Sequence, residues 1–206
     1  MKKTIITLAL AVVAVASAAA LTPKQMNGRA CEGLVGPVKT VKYDGGSTTT
    51  FNSAGQIVSI KYDSDTYTYK YQTATSYTTG QGEKYRITYT ATTRSDLQPY
   101  GEKFGYVYTF DSKGRIVKKR SDIEFFVTET QYFYKGDSKV PYRVTYHSGE
   151  GGYVYESDFY YEYLQFDSHG NWTKRSYNGI RRESEADVDP VVENINGTST
   201  RTITYY

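Results

Sequence analysis

Beyond its first twenty residues the chain alternates apolar and polar positions with a period of two, the repeat of a strand covered on one face. The strictest run is Tyr67-Thr68-Tyr69-Lys70-Tyr71, which sends three tyrosines to one face and Thr66, Thr68 and Lys70 to the other. A helix would scatter those rings around its circumference. Strands are likewise predicted over Val38 to Tyr43, Thr48 to Phe51, Gln56 to Tyr62, Thr75 to Thr79, Tyr85 to Tyr89, Tyr106 to Phe110, Phe125 to Tyr134, Tyr142 to Tyr146 and Thr202 to Tyr206. The short connections are rich in Gly, Asp and Ser, so neighbouring strands pair antiparallel.

One turn recurs three times: Phe51-Asn52-Ser53-Ala54-Gly55, Phe110-Asp111-Ser112-Lys113-Gly114 and Phe166-Asp167-Ser168-His169-Gly170. An Asx side chain bonds the backbone two residues on, and Gly in fourth place adopts the left-handed conformation that closes a type I turn with a bulge. The glycines are 59 and 56 residues apart, and Tyr85-Arg-Ile-Thr-Tyr89 recurs 57 residues later as Tyr142-Arg-Val-Thr-Tyr146. The expected fold is all-β: an antiparallel meander of about a dozen strands, curved or rolled, built from three ~57-residue units (residues 38–71, 85–134 and 142–206). In the third unit Asn178 to Gly197, with several acids and Pro190, reads as a mobile loop. Residues 21–37 read as a flexible, poorly packed lead-in with a helical turn near Pro23 to Asn27.

Residues 1–20 read as a secretory signal: Lys2 and Lys3, an apolar stretch from Ile5 to Val15, then Ala16-Ser17-Ala18-Ala19-Ala20. Export to the periplasm or beyond is expected, with cleavage after Ala18 or Ala20. Without Lys2 and Lys3 the chain carries 23 basic against 22 acidic residues, which gives no electrostatic case for nucleic acid or an anionic membrane. The one cysteine, Cys31, has no partner for an internal disulfide and reads as a spectator.

The pattern Tyr108 to Ile116, with Phe-Asp before Gly-Arg-Ile, resembles the YD repeat of RHS-type proteins. Phe stands here for the repeat's Tyr, Asn52 replaces Asp in the first copy, and the unit is more than twice the usual length. The whole, including Gly170-Asn-Trp-Thr-Lys-Arg175 and the terminal Arg201-Thr-Ile-Thr-Tyr-Tyr206, is similar to small exported proteins of Bacteroidetes-type bacteria. The resemblance implies a β-repeat fold, an exported location and a scaffolding or binding role. It brings no catalytic residue with it.

The sequence holds no phosphate-binding loop, dinucleotide motif or Gly-x-Ser-x-Gly. His147 and His169 are its only histidines, and no catalytic residue, metal site or cofactor is expected. Asp63 with Asp65, and Asp187 with Asp189, lack the rest of a calcium loop and read as turn residues. Trp172 stands where Ile57 and Ile116 stand in the other copies and reads as a packing residue. Two Asn-x-Thr triplets, at Asn171 and Asn196, read as chance in a bacterial chain.

The 23 tyrosines are the functional candidates, because a ring that stacks and a hydroxyl that hydrogen-bonds suit sugars and peptides. Tyr67, Tyr69 and Tyr71, with Tyr106, Tyr108, Tyr161 and Tyr163, are expected to form rows that bind an extended glycan or an envelope protein. The competing role for the same rings is core packing. Two other functions stay open: a hydrolase of cell-surface polymers, which needs two carboxylates about 5–10 Å apart, and a small outer-membrane barrel, against which the polar residues opposite the aromatics weigh.

Overall fold

The computed structural model describes residues 21–206 except 24, 100–103, 124–125 and 187. The signal read in residues 1–20, and Asp187, lie outside the described residues. Fourteen antiparallel strands form a closed barrel. They are β1 (Val38–Tyr43), β2 (Thr48–Phe51), β3 (Ile57–Tyr62), β4 (Asp65–Thr73), β5 (Ser76–Thr79), β6 (Lys84–Tyr89), β7 (Thr93–Leu97), β8 (Gly105–Phe110), β9 (Ile116–Ile123), β10 (Phe126–Phe133), β11 (Arg143–Glu150), β12 (Tyr153–Phe166), β13 (Trp172–Ser184) and β14 (Val191–Tyr205). Each strand pairs with its neighbour in sequence, and β1 closes the ring on β14 with Val41 opposite Ile203 and Tyr43 opposite Arg201. Closure leaves no full-length edge strand.

The predicted all-β antiparallel meander is the observed fold. Its three four-stranded units are β1–β4, β7–β10 and β11–β14, with β5 and β6 as an additional hairpin. The recurring turn joins β2 to β3, β8 to β9 and β12 to β13. In an up-and-down barrel, turns that follow even-numbered strands all lie at one end, so the three copies share a rim. The Tyr-Arg-Ile-Thr-Tyr likeness does not follow this order. It relates β6 to β11, which run in opposite directions, so this likeness and the recurring turn do not mark out the same unit.

The three turns are built alike. Asn52, Asp111 and Asp167 each accept the glycine N–H on the backbone carbonyl, at 2.9–3.1 Å. Their side-chain Oδ1 atoms accept the backbone N–H of Gln56, Arg115 and Asn171, at 2.9–3.0 Å. Gly55, Gly114 and Gly170 have φ of 84°, 74° and 82°, where an L-residue is strained. The surroundings differ. A Cβ at Gly55 would run into the Asn27 amide, whereas at Gly170 it would meet nothing within 4 Å. Gly170→Ala is therefore expected to cost about 1 kcal/mol and Gly55→Ala clearly more, read from urea midpoints. Equal losses would mean that Asn27 does not rest on this turn.

Residues 21–37 close the rim that carries these turns. The lead-in, expected to pack poorly, contributes Leu21, Met26, Cys31 and Leu34 to the core. Met26 and Cys31 pack with Tyr108, Phe110 and Ile116, and Leu34 with Val38, Val41 and Phe51. A short helix, α1 (Gly28–Cys31), is capped by the Asn27 side chain. Arg29 donates to the carbonyls of Asn52 and Val38, each at 2.7 Å. Val35 and the Asn171 amide exchange two hydrogen bonds of 2.8 Å, and Gly36 sits against the His169 ring. The segment shows no period because it is an irregular stopper whose polar groups are met by turns, not by a ladder.

Strands β12 to β14 are 14, 13 and 15 residues long and rise beyond the others at the far end. The stretch read as a mobile loop, Asn178 to Gly197, is a paired hairpin over most of its length, with Asn178 opposite Asn196 and Arg181 opposite Glu193. Above the barrel wall both of its faces meet solvent, so it lacks the apolar alternation that marks a half-buried strand.

The tyrosine rows face the lumen and the polar rows face outward. Tyr67, Tyr69 and Tyr71 line the interior, and alternation then puts Thr66, Thr68 and Lys70 outside. The same reasoning places Lys118 and Arg120 outside, where both reach Glu129.

Candidate functional site

The lumen is divided into two chambers that share Glu32 and Tyr132. The larger, of about 430 Å³, is bounded by Tyr67, Tyr69, Tyr71, Tyr77, Tyr106 and Tyr108, with Arg94, Asp96 and Lys119 among them. The smaller, of about 250 Å³, is bounded by Tyr43, Tyr134, Tyr161, Tyr163, Trp172, Arg175 and Arg201. Every tyrosine singled out from the sequence thus lies on the lumen wall: five in the larger chamber, and Tyr161 and Tyr163 in the smaller.

The strands that carry the expected rows, β4, β8 and β12, are not neighbours. In the larger chamber the ring contacts run around the wall through residues the alternation alone did not single out. Tyr71 and Tyr77 have centroids 5.2 Å apart, Tyr77 stacks on Tyr85 at 5.0 Å, and Tyr85 leads on to Tyr106 at 6.4 Å and Tyr106 to Tyr108 at 6.4 Å. Not all of this is free surface. Tyr77, Tyr85 and Tyr108 are buried core residues, while Tyr69, Tyr71 and Tyr106 are partly covered and Tyr67 is 41% exposed. Tyr67 and Tyr62 make an edge-to-face pair at 6.2 Å where the larger chamber meets the far rim. Ile123, Phe126 and Tyr153 are also exposed at that end.

Burial pushes the Tyr71 and Tyr132 hydroxyls up to about 12 and raises Tyr69 and Tyr106 as well. These groups are neutral donors and acceptors at physiological pH. Burial likewise pushes the Cys31 thiol up to about 12, against the opposing pull of Arg94, so it is a packed thiol and not a nucleophile. In the larger chamber each charge has a partner. Arg94 meets Asp96 with two hydrogen bonds of 2.6 and 2.7 Å, both side chains buried, and Lys119 lies 3.6 Å from Glu32. Arg94 also reaches the Met26 carbonyl at 3.4 Å, which fastens the stopper to β7.

The smaller chamber is different. Trp172, buried as its place in the repeat predicted, lies under two guanidinium groups: Arg175 at 4.2 Å and Arg201 at 4.0 Å from the ring centroid. Sequence reading passed over both arginines, and Arg94 and Asp96 with them. The signal was present in Arg201-Thr-Ile-Thr-Tyr205, where Arg shares a face with Ile203 and Tyr205.

His147 lies on a strand whose Tyr146 faces the lumen, so it points outward, 3.3 Å from Glu156. His169 stacks on Tyr205 at 3.9 Å. Among the described residues no group of three or more His, Cys, Asp and Glu is placed to hold a metal ion. No protein-family model matches the sequence, and no curated protein matches it.

Proposed function

We propose that the protein is an exported, non-enzymatic binding barrel that takes the end of a glycan chain into its tyrosine-lined lumen. The observation that supports this most is the larger chamber, about 430 Å³, within the range of small-molecule sites. It is walled by neutral tyrosines, with exposed Tyr62 and Tyr67 at the far rim and the N-terminal segment across the other end. Rings that stack and hydroxyls that donate suit the alternating faces and edges of a sugar. A stopper under the chamber favours a chain entering end-on over one threading through or lying along an open strip. The two carboxylates of this chamber, Asp96 and Glu32, are each engaged by a cation, which favours binding over hydrolysis. The leader-like residues 1–20 support export.

The closed antiparallel topology is also compatible with an outer-membrane barrel. The side-chain distribution favours water outside: outward positions on β4, β9, β10 and β13 are mostly Thr, Lys, Arg, Glu, Gln, Asn and Ser, with Val127, Phe133 and Ile180 among them, and most of the tyrosines line the lumen. A lipid-facing barrel has the reverse arrangement.

Calorimetric titration of the mature protein with neutral oligosaccharides tests the proposal. Tyr69→Ala is expected to weaken binding at least tenfold with little change in melting temperature, while Tyr160→Ala, on the outer face, leaves it unchanged. Equal effects of the two would contradict a lumenal site. An unfolded Tyr69→Ala would make Tyr69 a packing residue. Binding of envelope peptides in place of glycans would replace the ligand class.

A further inference from the structure

We propose that Arg175 and Arg201 form an anion site in the smaller chamber, one that receives a carboxylate or a similar oxyanion carried by a small ligand. Arg201 is only 6% exposed, lines the chamber, and has an Nη2 with no hydrogen-bond partner. The Arg175 Nε is also buried without a partner. Buried guanidinium groups are ordinarily paired with a carboxylate, and among the described residues neither arginine is in an ion pair, whereas Arg94 of the neighbouring chamber is held by Asp96.

What the two arginines do contact meets this need only in part: the neutral hydroxyls of Tyr43 and Tyr163 lie beside Arg201 and Arg175, and among the described residues no carboxylate does. Trp172 takes Arg175 and Arg201 over its ring, and Tyr161 takes Arg175 at 3.9 Å. Arg201 Nε donates to the Trp172 carbonyl at 2.7 Å. The guanidinium groups lie over the ring faces of Trp172 and Tyr161, and a guanidinium's N–H groups lie in its own plane, where a carboxylate or phosphate oxygen binds. Lys139 also lines this chamber. Glu32, its one carboxylate among the described residues, lies beside Lys119. Burial acts most strongly against the Arg201 charge, Tyr43 opposes it, and the positive charge of Arg175 adds to the burial penalty; a bound anion relieves both penalties. The volume of about 250 Å³ limits the occupant to a small molecule or one residue of a larger one.

The inference deepens the glycan reading by adding an acidic group to the ligand, yet it is testable apart from it. Trp172 is the only tryptophan in the chain, so its fluorescence reports this chamber. At low ionic strength D-glucuronate is expected to bind the mature protein at least tenfold more tightly than D-glucose. Inorganic phosphate should compete with it. Arg201→Met and Arg175→Met should each bring the ratio near one. Because Met removes an uncompensated buried charge, both variants should melt no lower than the parent. If one fails to fold, the other carries the test. A parent ratio near one, or a preference that survives in both variants, overturns the anion site. Binding of neutral glycans without acid preference would leave the proposed function standing and remove this inference. Arginine-dependent phosphate binding with no glycan affinity would do the opposite.

Discussion

Asp96→Ala is expected to lose about 3–5 kcal/mol of stability, a value typical of breaking one side of a buried ion pair. Asp96 and Arg94 are both nearly inaccessible, and the carboxylate accepts two guanidinium N–H bonds. Removing it strands a charge between Tyr108 and the stopper, with the Met26 carbonyl, the Cys31 sulfur and the Tyr71 hydroxyl as its remaining neighbours, none of them a carboxylate. The penalty belongs to the orphaned charge and not to the pair as such, so Arg94→Met with Asp96→Leu should recover most of the loss. Urea denaturation of the three proteins decides the matter. A loss under about 1 kcal/mol for Asp96→Ala, the range of exposed pairs, would show that water reaches this part of the wall.

Met26→Ala is the second large effect, at about 2–5 kcal/mol. A residue in a loose lead-in would cost almost nothing. Met26 is instead fully buried against Tyr108, Phe110 and Ile116, and truncation opens a gap between the stopper and the barrel wall. Thermal melts of Met26→Ala beside Lys39→Ala, an exposed site on the barrel, separate the two views. Matching melts would mean that residues 21–37 do not seal the rim.

The repeating turns and the strands around them were legible because their causes are local. Asx at one position and Gly three later fix a turn, and strict alternation at Tyr67 to Tyr71 fixes a strand. Three features were hidden for physical reasons. Strand β7 carries Arg94 and Asp96 on its inward face, so its alternation reads as polar. The upper part of the β13–β14 hairpin is solvated on both faces and shows no apolar period. The stopper is irregular, and its partners are turns far along the chain, Val35 with Asn171 being 136 residues apart. Closure is equally remote from any local signal, since it joins β1 to β14. The candidate tyrosines were found by composition and spacing. Their direction was not, because a row of rings on one strand looks the same whether it faces a lumen or lies on an open surface.

The most direct measurement is an NMR titration of the mature protein carrying 13C-labelled tyrosine, followed with a neutral oligosaccharide that binds by calorimetry. Tyr69, Tyr71 and Tyr106 line the larger chamber, whereas Tyr160 is 44% exposed and sits opposite outward-facing Arg143. The account predicts saturable ring shifts at Tyr69, Tyr71 and Tyr106 and none at Tyr160. Shifts confined to Tyr160 and its outer neighbours would contradict a lumenal binding site.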